Sequence, residues 1–146
     1  MSDYFVKQST DKLKADIARH DRETEAGIQK ANAIKAHAPE QWKLLRQWIA
    51  DYCEQANLDM GYAAFVVRKG PSSQLKIDLN FTPGAVSGRL LEIEFHEPTG
   101  TITYDNSRQK FSPYVDSSGF HFSDGSHGVT VEEMGQILVK ILLDMR

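Results

Sequence analysis

The chain has 146 residues, of which 40% are hydrophobic and 25% charged, the proportions of one ordinary globular unit with a core of its own. Its 17 basic and 20 acidic side chains leave a net charge of −3 and are spread along the whole length, with no basic run to meet a phosphate backbone or an anionic membrane surface. A lone cysteine, Cys53, excludes an intramolecular disulfide and a thiolate metal cluster within one chain, and no apolar run approaches the roughly 20 residues of a membrane span.

The first element reads as helix. Residues 2–37 hold no proline, and Val6, Leu13, His20, Gly27 and Ile34 recur every seventh position beside Ile17, Thr24, Ala31 and Ala38. This stripe predicts one long helix, or two with a weak point near Gly27. It is poor in the middle, where His20, Thr24 and Gly27 replace branched apolar residues, so it does not describe a strong autonomous coiled coil. Pro39 and Glu40 suit the first turn of a second helix, whose face is Trp42, Leu45, Ile49, Tyr52 and Ala56, widened by Leu44 and Trp48, and which ends near Asn57. Folded back as an antiparallel hairpin, the longer first helix overhangs the second, and Val6, Leu13 and Ile17 on the overhang become candidate association residues.

From residue 62 the period changes to two. Tyr62 to Lys69 reads as an apolar, central strand. Leu75 to Phe81, Leu91 to His96 and Thr101 to Asp105 alternate strictly, and segments 111–115 and 120–123 are weaker strands. Turns are expected at Lys69 to Ser73, Pro83-Gly84, Pro98-Thr99-Gly100 and Asp105-Asn106-Ser107. Connections this short cannot hold crossover helices, so successive strands pair antiparallel. Thr130-Val131-Glu132-Glu133 is a capping box, and Val131, Met134, Ile137, Leu138, Ile141, Leu142 and Met145 give the following helix a broad apolar face.

The expected fold is therefore α+β in a single domain over residues 1–146. Two N-terminal helices occupy 1–58, an antiparallel meander of five to six strands 61–125, and one C-terminal amphipathic helix 130–146, with the helices covering one sheet face. The expected core is Trp42, Leu45, Trp48, Ile49, Phe65, Val67, Leu75, Ile77, Leu79, Leu91, Ile93, Ile102, Leu138, Ile141 and Leu142, with Phe81 and Phe95 on the same sheet face.

Two polar groups have residue types that can carry chemistry. Asp78, Glu92, Glu94 and His96 share the opposite sheet face and resemble a general acid/base or metal set, although the wet face of an antiparallel sheet carries such charges as cross-strand pairs. His121, Asp124 and His127 lie within seven residues among glycines and are potential metal ligands, although their spacing also suits a plain capping loop. No Gly-x-Ser-x-Gly elbow, phosphate-cradling loop or dinucleotide fingerprint is present, and Cys53 beside the apolar face of its helix reads as a buried thiol. No cofactor is implied. The sequence favours a non-enzymatic protein-binding module that meets a protein partner or a second copy of itself. A carrier of a small apolar ligand between sheet and last helix comes second, and an enzyme using the acidic sheet face or the histidine loop third. With no apolar secretory segment at its start, a cytoplasmic location is expected, with neither nucleic acid nor membrane as partner.

Overall fold

The computed structural model describes residues 3–84, 88–105 and 108–145. The N-terminal half is one helix, α1, running unbroken over the 58 residues Asp3–Met60, a rod of about 87 Å at 1.5 Å per residue. The two helices and the hairpin expected there are not formed, because Pro39 lies inside the helix and does not begin a new one. A proline in a helix interior costs about 3 kcal/mol through the lost amide and the ring clash. Here the segments on either side of it are held in line against the same sheet. Ile34 and Ala38 press on Gly100, and the Trp42 indole N–H donates to the Ser72 carbonyl at 2.7 Å. Beyond Pro39 the buried stripe continues as Trp42, Leu45, Ile49 and Cys53.

α1 stops at Gly61, whose φ of 79° is left-handed and whose N–H donates to the Asn57 carbonyl at 2.9 Å. The Asn57 side chain then locks the next strand in place, accepting from the Phe65 amide at 2.8 Å and donating to its carbonyl at 2.9 Å. Seven strands follow in a meander whose spatial order is the chain order: β1 Phe65–Arg68, β2 Gln74–Leu79, β3 Arg89–His96, β4 Thr101–Tyr104, β5 Gln109–Asp116, β6 Gly119–Ser123 and β7 Gly128–Val129. All neighbours are antiparallel, and the register stacks apolar residues on one face through Ile77↔Leu91, Ile93↔Tyr104 and Ile102↔Phe111. The six expected strands are present, and the seventh is the two-residue β7. The residues Tyr62 to Lys69, expected as a central strand, hold an edge strand instead. Only Phe65 of β1 is buried, and Val67, placed in the expected core, is exposed. Phe81 also leaves the core, because β2 ends at Leu79 and the chain turns away. Of the turn expected at Asp105-Asn106-Ser107, the last two residues lie outside the described residues, as does Arg146 at the end of the expected last helix.

α2, Val131–Asp144, begins at the expected capping box. The Thr130 hydroxyl accepts from the Glu133 amide at 3.1 Å, and the Glu133 carboxylate accepts from the Thr130 amide at 3.3 Å. Met134, Leu138 and Leu142 are fully buried against the sheet and α1. The last turn of α2 has no basic residue of its own. Arg89 of β3 supplies the charge, its guanidinium donating to the Leu142 carbonyl at 3.3 Å and to that of Leu143 while lying 4.9 Å over the Phe81 ring.

α2 meets α1 at Gly135. A Cβ there would run into the Trp48 ring, itself stacked on Tyr52 at 5.7 Å. Gly135→Ala should therefore lower stability by about 1–2 kcal/mol, overpacking outweighing the gain in helix propensity of about 1 kcal/mol. Urea melts of the two proteins check this, and equal or higher stability of the variant would show that the two helices separate freely at this point.

Candidate functional site

The polar sheet face is a set of cross-strand pairs. Asp78 is 8% exposed and takes a two-pronged hydrogen bond from Arg68 of the neighbouring strand, Nη2 to Oδ1 at 2.8 Å and Nε to Oδ2. Both oxygens of the carboxylate are thereby engaged by one guanidinium. Glu92 lies opposite Lys76, with 4.0 Å between Oε1 and Nζ. Glu94 lies between Gln74 and Thr103 in the ladder, and His96 Nε2 is 2.8 Å from the Thr103 hydroxyl. The four candidates share a face, and each lies beside a residue of a neighbouring strand.

The histidine segment is divided between two turns. His121 in the middle of β6 points to the β5–β6 turn, its Nε2 lying 2.8 Å from Ser118 Oγ and 3.2 Å from Asp116 Oδ1. Asp124 and His127 belong to the β6–β7 turn. There Asp124 Oδ1 accepts from the amides of Ser126 and His127 at 2.8 and 3.0 Å, and His127 Nε2 stands 3.7 Å from Oδ2. Those backbone amides hold the Asp124 carboxyl below the usual carboxylate range. Among the described residues, no group of three or more His, Cys, Asp or Glu is placed to hold a metal ion.

Sequence reasoning missed Asp116 and Ser118, which join His121 in a Ser-His-Asp cluster. Its wiring differs from that of a nucleophilic triad. A triad needs serine on one ring nitrogen and the carboxylate on the other. Here the same His121 nitrogen faces both groups, while the Ser118 hydroxyl donates to Asp116 Oδ1 at 2.7 Å and the Ser118 amide donates to it at 2.9 Å. The serine proton is directed at the carboxylate, whose pKa is lowered mainly by that bond. The sequence signal was Asp116-Ser117-Ser118-Gly119, an aspartate closing a turn on the residue two positions ahead.

Between α2 and the sheet, the position a bound apolar ligand would occupy is filled by Met134, Leu138 and Leu142, none with any exposed surface. A cleft of about 550 Å³ lies elsewhere, in the angle where α1 leaves the sheet, lined by Ala31, Ile34, Lys35 and the β3–β4 turn residues Glu97, Pro98 and Thr99.

Below that cleft the first half of α1 stands clear of the body. Apart from half-buried Asp16, every residue from Asp3 to Asn32 is exposed. The stripe predicted to need a cover is open to solvent, with Leu13 57% and Ile17 51% exposed, and Tyr4, Phe5, Val6 and Ile28 add to the apolar surface. No helix of the described residues is long and apolar enough to cross a membrane. No protein-family model, curated protein sequence or solved structure matches the chain.

Cys53 is buried and its thiol is pushed up to about 11 by that burial, so at neutral pH it is protonated and shielded. It should resist iodoacetamide in the native protein at pH 8 and react fully in denaturant. Rapid native labelling, followed by mass spectrometry, would show that the α1 face opens there.

Proposed function

We propose that this protein is a non-enzymatic protein-binding module. Its body is a rigid base and the first half of α1 is the binding arm. The observation that carries the reading is the uncovered apolar stripe of Val6, Leu13 and Ile17 on a helix that projects from the body. Most helical stability in proteins comes from packing of an apolar face, and the first half of α1 has no such packing of its own. An arm of this length is useful when a second surface covers its stripe, because burial then contributes roughly 25 cal/mol per Å² of apolar area. The net charge of −3 and the absence of a basic run favour a protein partner over nucleic acid. The polar sheet face supports the same reading, since Asp78, Glu92 and His96 each meet a side chain of a neighbouring strand.

A photoreactive benzoylphenylalanine at Leu13, in cells producing the full chain, should give protein adducts of discrete mass. The same group at Gln8, on the other side of the helix, should give few. No adduct from position 13, or equal yields from both faces, would contradict the reading.

A further inference from the structure

We infer that the arm's occupant is a second copy of this chain, laid antiparallel along it, with Ile17 of each copy opposite His20 of the other. This rests on the arm being a binding surface and specifies what binds.

The distribution of side-chain size sets the direction. Along the stripe the large residues fall in the N-terminal half, as Val6, Leu13 and Ile17. The small ones fall in the C-terminal half, as Thr24, Gly27 and Ala31. Parallel pairing in register sets large on large and leaves Gly27 facing Gly27. Antiparallel pairing sets large on small at Val6 against Ala31 and at Leu13 against Thr24, and it lets Ile17 meet His20 and Thr10 meet Gly27, so that no layer has glycine facing glycine.

The body sets the register. Seam positions in an antiparallel pair meet at right heptad phase only in steps of seven residues. The stripe itself runs into the body at Ile34 and Ala38, which lie on Gly100 of the β3–β4 turn. The partner helix must therefore end near residue 34. The phase with Ile17 opposite His20 brings residue 3 of one copy level with residue 34 of the other. The next phase in one direction would drive the partner's first turn past Ala38 into the sheet. The next in the other direction leaves the upper stripe bare. In the chosen phase each N-terminal turn, with exposed Tyr4 and Phe5, arrives at the 550 Å³ cleft beside Ala31, Ile34 and Pro98. The covered length is the whole free arm, about 46 Å of seam at 1.5 Å per residue.

Charge agrees on the direction. A parallel pair places Asp16 beside Asp21 and Lys30 beside Lys35 of the other chain, both like-signed. The antiparallel register sets Lys14 beside Asp21 and Asp16 beside Glu23, each twice across the dyad, so attraction and repulsion balance where the parallel pair has repulsion alone.

Sedimentation of the purified full chain, together with spin-label distances, tests this. The labels go on Gln8→Cys and, separately, Arg22→Cys in a Cys53→Ala background. The expected result is a dimer with label separations of about 35 Å for position 8 and about 20 Å for position 22, following from the rise per residue and an ordinary helix spacing. Leu13→Glu with Ile17→Glu should give a monomer whose body melts as in the parent. Equal separations at the two sites would mean parallel pairing and overturn the inference. So would a monomer at 100 µM, while adducts at position 13 in cells would then still support a protein-binding arm with a different occupant.

Discussion

The helix α1 lies against the sheet because residue 100 has no side chain. A Cβ there would come within 2.7 Å of Ile34 Cγ2 and 3.1 Å of the Ala38 Cβ, and the backbone is left-handed at φ 71°. Both facts require glycine. This contact is the first point at which the long apolar stripe of α1 finds a cover. Toward the C-terminus the stripe is core, through Trp42 stacked 5.7 Å from Phe95, fully buried Leu45 and Ile49, and Cys53. Toward the N-terminus the same stripe is bare. The position of one turn thus divides a continuous helix into an anchor and an arm.

The anchor makes the arm usable. A free helix must first nucleate, a step unfavourable by about a thousandfold, whereas a helix that grows out of a packed core needs only propagation. Pro39 sits inside the anchored part with contacts on both sides, so its weakness does not fall at the base of a free lever. Asp78 with Arg68, Glu92 with Lys76, and the two aspartate-closed turns around β6 use their charges to hold sheet edges and hairpins.

Most of the sheet and all of α2 were legible in the sequence because their signals are local. Alternation placed Leu75, Ile77, Leu91, Ile93 and Ile102 correctly in the core, and Thr130 with Glu133 marked the helix start. The failures have a common cause. Whether Val67 is central or at an edge, and whether Pro39 begins a helix or interrupts one, depends on which element lies beside it, and local sequence does not encode that neighbour. The His121 pairing with Asp116 and Ser118 was missed for a related reason, since a hairpin turn brings them together across β5 and β6. The stripe at Val6, Leu13 and Ile17 was readable as apolar surface in need of cover. The route by which it remained uncovered, a helix running straight where a hairpin was expected, was not.

Amide hydrogen exchange along α1, at nanomolar and at high micromolar protein, tests the anchor-and-arm division most directly. Amides of residues 38–57 should be protected at both concentrations, because opening them means unfolding the core. Those of residues 6–30 should exchange within seconds when dilute and become protected when concentrated, as the arms pair. Uniform protection from residue 6 to residue 57 in dilute solution would contradict the account, because it would mean that the first half of α1 is held by the body itself.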